Sequence, residues 1–248
     1  DAEFNNIQWI DLVVCNLYPF SEIISKVECD LSLALENVDI GGPTIIRSAA
    51  KNVGWVCVAV DPEDYSTITN GLRSGKISFE TRKKLSTKAF GHTAKYDTII
   101  HNYLKDEKLS DDFSITFKKH SEMRYGENPH QSAASYRIPG NDEPNILNAT
   151  VHQGKQLSYN NIMDADGALA CVREFDGPAC VVVKHSNPCG VAVGDNLLDV
   201  YTRAFNADPI SAFGGIIAFN RTCAKEVAKA ITDVFVEIVL APGFEPDA

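Results

Sequence analysis

The sequence predicts an α/β protein in two parts, and three observations carry that prediction. Short runs rich in β-branched residues alternate with segments of helical spacing. Between those runs lie helices with readable ends. One charged stretch lacking both periodicities divides the chain.

The first strand expected is Ile10–Tyr18, IDLVVCNLY. After it, DIGGPTIIRSAAKN (Asp39–Asn52) reads as a glycine turn feeding a helix that Pro43 can open. A second strand follows at Trp55–Val60. Asp61 then caps a helix with Pro62 at its first position and Glu63 and Asp64 in its first turn, where acidic groups meet the positive end of the dipole. From Glu80 to Lys105, Leu85, Ala89, Phe90, Thr93, Tyr96, Ile99, Ile100 and Tyr103 recur at helical spacing, with Gly91 as a place where the helix could break. The charged stretch Leu104–Ser114 is the expected linker, giving domains 1–112 and 113–248. In the second domain, Ala179–Lys184, Gly215–Phe219 and Val236–Ala241 read as strands, and Pro139–Pro144 as a surface turn.

Composition excludes several classes of function. A hydrophobic share of 44% supports a buried core rather than disorder, and 33 acidic against 23 basic residues give a net charge of −10, which argues against a nucleic-acid-binding surface. Any phosphate is therefore expected in one local pocket. The apolar runs fall far short of the roughly 20 residues a membrane span needs, and the N-terminus lacks the pattern of a signal peptide, so a cytosolic protein is expected. Seven cysteines, an odd number without a C-x-x-C pair, read as small buried residues in a reducing compartment. Because the sequence opens just before one buried-type strand and stops just after another, it is expected to be an internal piece of a longer chain with a parallel sheet.

Five constellations could carry chemistry. Arg47 and Lys51 lie four residues apart on one face of a helix whose glycine-rich start suits an anion, although a plain capped helix explains them too. Asn16 and Tyr18, alternating along the first strand, point to one side at its carboxyl end, where α/β sheets bind ligands. RYGENPHQ (Arg124–Gln131) is too polar for a core element and reads as a recognition loop. In VVVKHSNPCG (Val181–Gly190) a buried strand runs into Lys184 and His185, and for both to serve one site the chain must turn there, with Ser186-Asn187-Pro188 as the expected turn. Lastly, Asn160, Asn161, Asp164 and Asp166 in SYNNIMDADGA suit hydrogen bonds to a polar heterocycle or sugar, and DPISAFGGIIAFN (Asp208–Asn220) sets polar residues against a glycine pair. A non-catalytic α/β module binding a small phosphorylated ligand accounts for the glycine-helix site, but has no need of Lys184-His185. A metal-dependent hydrolase lacks any His or Cys pair at ligand spacing.

In this order, CNLYPF, DIGGPTIIRSAAKN, RYGENPHQ, SYNNIMDADGA, VVVKHSNPCG and DPISAFGGIIAFN resemble the bifunctional AICAR transformylase and IMP cyclohydrolase family, over essentially the whole chain. The resemblance implies a partial methylglyoxal synthase-like domain followed by a partial cytidine deaminase-like domain. It implies that Lys51, Asp39 and Tyr18 surround the reacting groups in ring closure of formyl-AICAR to IMP, with Asn16 close by and Arg47 on the substrate side. It also implies that His185 shuttles a proton at the amine of AICAR, that Lys184 stabilises the formyl oxygen, and that Arg124 and Tyr125 hold the nucleotide. The implied formyl donor is 10-formyltetrahydrofolate and the implied assembly a homodimer. No metal is expected, because Pro188-Cys189 is not followed by a second cysteine at the spacing of the zinc deaminases. Segments completing both active sites would lie beyond the two ends of this sequence.

Overall fold

The computed structural model describes residues 3–107 and 109–248. Asp1 and Ala2 of the first expected domain and Lys108 of the expected linker lie outside the described residues. The chain divides into two compact units, Asp1–Thr116 and Phe117–Ala248, each with its own core.

In the first unit, β1 (Leu12–Val14), α1 (Phe20–Ile24), α2 (Leu31–Glu36), α3 (Gly41–Lys51) and β2 (Cys57–Ala59) precede a 3₁₀ turn, Pro62–Asp64, then α4 (Tyr65–Arg73) and the 26-residue α5 (Phe79–Leu104). β1 and β2 pair in parallel, Leu12 with Cys57 through Val14 with Ala59. Both strands are shorter than the apolar runs that announce them. Alternation along β2 splits the core: Val58 packs with Ile46, Ala49 and Ala50 of α3 and Ala89 of α5, while Cys57 and Ala59 face Ile68 and Leu85. Asp61 caps as expected, its carboxylate accepting from the Glu63 N–H at 3.0 Å, but the turn it starts is 3₁₀ before α4 takes over. α5 begins at a Ser78 cap and runs unbroken through Gly91, because Leu85, Ala89, Thr93 and Tyr96 on its buried stripe hold it on either side of that exposed glycine.

In the second unit, β3 (Lys118–Glu122) and β4 (Ala134–Arg137) form an antiparallel pair, followed by a 3₁₀ turn at Ile146–Asn148. Then come α6 (Tyr159–Val172), β5 (Ala179–Lys184), β6 (Asn187–Val193), α7 (Leu197–Ala207), α8 (Pro209–Ala212), β7 (Ile216–Phe219), α9 (Lys225–Thr232) and β8 (Ile238–Leu240). The main sheet has the order β6-β5-β7-β8. It is mixed, not parallel: β5 pairs antiparallel with both β6 and β7, and only β7 and β8 run together. The hairpin that joins β5 to β6 dictates the first of these pairings, since a two-residue turn cannot join parallel strands.

β5 is buried on both faces, which is why its sequence is continuously apolar rather than alternating. Ala179, Val181 and Val183, with Ile216 and Ala218 of β7, pack on Ala165, Ala168 and Val172 of α6. Cys180 and Val182, with Ile217 and Phe219, pack on Val200, Tyr201 and Ala204 of α7 and on Val227 and Ile231 of α9. The sheet is thus covered by helix on either side, and the carboxyl end of β5 is left to present Lys184 and His185. Among the described residues no helix is long and apolar enough to cross a membrane.

Candidate functional site

The turn at the end of β5 differs from the one expected. Lys184 pairs with Asn187, so the two loop residues are His185 and Ser186, with φ of 53° and 60°. Two consecutive positive φ values make this the primed hairpin turn that follows strand twist. Neither residue is glycine, and each L side chain in this left-handed region costs about 1–2 kcal/mol. Asn187 and Pro188, expected in the turn, instead open β6. Proline is tolerated there because β6 is an edge strand, where a missing N–H breaks no interior ladder. Between Pro188 and Gly190 the register slips, and Cys189 is the extra residue of a bulge.

Adjacent strand residues face opposite ways, yet Lys184 and His185 line one cavity of about 420 Å³ with Asn187, Pro188, Cys189, Ile210 and Ser211. The turn reconciles the two statements: His185 has already left the strand. Lys184 is half-buried, and its Nζ donates to the Gly214 carbonyl at 2.6 Å. An ammonium has three donors, so two remain for the cavity. Gly214 has φ of 66°, and a Cβ there would come within 3.1 Å of that same Nζ. Of the lining residues, Ser211 is held by the Asp208 carboxylate, which accepts from its hydroxyl at 2.6 Å and from its N–H at 3.1 Å. Those two bonds, hydroxyl first, hold the Asp208 carboxyl below the ordinary carboxylate range. Burial pushes the Cys189 thiol up, so it lines the cavity as a neutral group.

The Arg124–Gln131 loop is folded on itself. Gln131 closes it through Gly126 N–H to its carbonyl at 2.9 Å and Asn128 N–H to its Oε1 at 2.8 Å. Arg124 is exposed and stacks 4.9 Å from the Tyr125 ring centroid. Asn160, Asn161 and Asp164, expected to serve a ligand, also make bonds within the protein. Each is engaged within the protein: Asn160 Nδ2 donates to the Glu127 carbonyl, Asn161 completes a capping box with Ser158 and donates to Glu237, and Asp164 accepts from Ser186.

In the first unit, α3 starts at Gly41, and Asp39 Oδ1 accepts from the Gly42 N–H at 2.7 Å. A Cβ on Gly42 would stand 2.5 Å from Asp39 Oδ2, so glycine is required for the carboxylate to fold over the helix start. The Tyr96 hydroxyl of α5 accepts from the Asp39 N–H at 2.8 Å. Burial, above all, raises the Tyr96 phenol. Asn16 Oδ1 accepts from the Tyr65 hydroxyl at 3.2 Å; both Asn16 and Tyr18 lie beyond the end of β1. Lys51 is the last residue of α3, about 15 Å from its first by helical rise. Asp39 is therefore bonded to the Tyr96 hydroxyl, and Lys51 sits at the other end of the helix. Arg47, midway, stacks 5.7 Å over Phe90.

Sequence reasoning missed Tyr96, Cys189, Ile210, Ser211 and Gly214. Tyr96 was legible only as a core position. The others lay in motifs already singled out, where nothing in residue type alone separates a cavity wall from a cap.

The sequence profile of the AICARFT/IMPCHase bienzyme family matches residues 49–248. The chain belongs to that family. The bifunctional purine biosynthesis protein PurH of Bacillus cytotoxicus is 51% identical over 98% of this chain, that of Acetivibrio thermocellus likewise 51%, and that of Caldicellulosiruptor saccharolyticus 47%. The chain spans about half the length of these relatives, 48% to 49% of each. A crystal structure of ForH matches 40% of the chain at 33% identity with a TM-score of 0.37. The chain itself is mixed α/β. Among its described residues no group of three or more His, Cys, Asp and Glu is placed to hold a metal.

Proposed function

We propose that the full-length protein transfers a formyl group from 10-formyltetrahydrofolate to the 5-amine of AICAR and then closes formyl-AICAR to IMP with loss of water. One observation supports this most: Lys184 and His185 share a cavity because the chain turns between them. Its volume lies within the range of small-molecule sites.

In the transfer, the amine attacks the formyl carbon. The oxygen gains charge as the tetrahedral centre forms, and the two free donors of Lys184 Nζ meet it. His185 takes the proton from the amine as the new C–N bond forms and delivers it to the departing folate nitrogen as the old one breaks. Arg124 and Tyr125 hold the nucleotide. Asn160, Asn161 and Asp164 serve the substrate by fixing the elements around it. In ring closure, the carboxamide nitrogen attacks the formamido carbon and water leaves, which needs one group to accept a proton and one to donate. Asp39 and Tyr18 fill those roles, with Asn16 beside them; Lys51 and Arg47 are assigned on their motif. Residues 1–112 then belong to a methylglyoxal synthase-like cyclohydrolase domain, and 113–248 to a cytidine deaminase-like transformylase domain. The protein acts in the cytosol as a homodimer without a resident metal.

The test is kinetic. In the full-length protein, Lys184→Ala and His185→Ala each lower formyl transfer on the order of 10²-fold or more, the scale of a positioned oxyanion or acid-base group, while closure of supplied formyl-AICAR is unchanged. Undiminished transfer in both variants overturns the reading.

A further inference from the structure

We infer that Asp164 is a positioning residue: it clamps the turn carrying His185 and, through α6, sets that turn in register with the Arg124–Gln131 loop. This rests on the transformylase reading above and deepens it.

A primed turn wants glycine or asparagine, and this one has His185 and Ser186, both at positive φ. Such a conformation persists only where its surroundings over-determine it. Asp164 Oδ1 supplies the hold, accepting from the Ser186 N–H at 2.7 Å and from the Ser186 hydroxyl at 3.3 Å. The bond is charge-assisted, the stronger class of hydrogen bond. α6 also lies directly against the turn: three residues on, on the same face, a Cβ at Gly167 would just reach the Ser186 carbonyl at 4.0 Å.

The same helix face carries a second anchor. Asn160, one turn before Asp164, donates through Nδ2 to the Glu127 carbonyl at 3.3 Å, and the Tyr159 N–H donates to the Tyr125 carbonyl at 3.3 Å. The loop and the turn are thus fastened about 6 Å apart on one rigid rod. The start of the rod is itself fixed by the Ser158–Asn161 capping box and by Asn161 to Glu237. Asp164 therefore acts through His185 rather than on a ligand. A group held in this way affects the reacting geometry more than ground-state binding, and a misplacement on the order of 1 Å costs about 10²-fold in rate.

Two variants and two readouts test the inference. In the full-length protein, Asp164→Ala lowers kcat for formyl transfer by about 10- to 100-fold and leaves KM for AICAR within about twofold. Asp164→Asn, which keeps an acceptor at the same place, recovers most of that loss. Independently of activity, the Ser186 amide proton exchanges at least about tenfold faster in Asp164→Ala than in the wild type, as expected once its acceptor is gone. A rise in KM at unchanged kcat, or unchanged Ser186 exchange in Asp164→Ala, overturns the inference. A wild-type protein that transfers no formyl group overturns the proposed function instead, and the exchange measurement still decides the role of Asp164.

Discussion

Gly190 is where a single methyl group does most harm. A Cβ built there lies 1.8 Å from the Ala204 carbonyl oxygen and 2.8 Å from its carbon, whereas carbon and oxygen ordinarily approach no closer than about 3.3 Å. The obstacle is the backbone of α7, so no rotamer change relieves it, and β6 and α7 must part by roughly 1.5 Å. That movement opens the layer where Val200, Tyr201 and Ala204 meet Cys180, Val182 and Phe219, and a gap of about 0.5–1 Å already forfeits a quarter to a half of each dispersion contact. Overpacking usually costs about 1–3 kcal/mol. An unyielding backbone puts Gly190→Ala at about 3 kcal/mol or above, a large part of the 5–15 kcal/mol that holds a typical domain together. Urea unfolding followed by far-ultraviolet circular dichroism measures it, with Gly167→Ala as the matched control. In the control the added methyl meets only ordinary contact, and removing a helix-interior glycine stabilises by about 0.5–1 kcal/mol. The reasoning fails if Gly190→Ala unfolds within about 1 kcal/mol of the wild type, or if both substitutions shift stability in the same direction.

Other outcomes are expected from the same geometry. Asp39→Ala removes the acceptor of the Gly42 N–H at the start of α3 and destabilises by about 0.5–1.5 kcal/mol in thermal or urea unfolding, while ring closure falls with it. Gly214→Ala places a methyl against Lys184 Nζ at a left-handed position; it costs about 1–2 kcal/mol of stability and lowers kcat for formyl transfer beyond what that loss explains, as steady-state kinetics on the folded variant would show. The Lys88 ammonium, with the Glu63 N–H, holds the Asp61 carboxyl below its ordinary value. Since that pKa is depressed on folding, its stabilisation is present above about pH 4 and lost as pH falls through the folded value, so urea midpoints drop with acid and Asp61→Asn flattens the drop. Burial drives the Cys180 thiol far above its ordinary range, and a thiol reagent at pH 8 labels it only when the chain unfolds.

Much of the fold was legible because the period of the sequence reports the environment of each segment. Continuous burial of β5 wrote itself as ACVVVK, and the buried stripe of α5 as a run of residues at helical spacing. Strand β6 was not legible, since Pro188 and Gly190 read as breakers; one is tolerated at a sheet edge and the other is demanded by the approach of α7. The turn was placed one residue late for a related reason: His185 carries no turn signal of its own, and Asp164, more than twenty residues earlier in sequence, holds the turn at His185 and Ser186. The strand β3, fully exposed along its length, offers no alternating pattern to read. For the site, residue type identified Lys184 and His185, but Tyr96 became visible only once α5 had been packed against the start of α3.

Loops near reacting groups are usually where a protein family experiments with length. The connection after Lys184 has no such freedom. Were β6 to slide past β5 by one position, Cys189 would stand opposite Val182 where Gly190 now stands, with a side chain aimed at the Ala204 carbonyl. A slip of β6 is thus barred by a helix on the far side of the sheet edge, and any change of length between Lys184 and Gly190 has to be taken up within the turn itself, where it would displace His185.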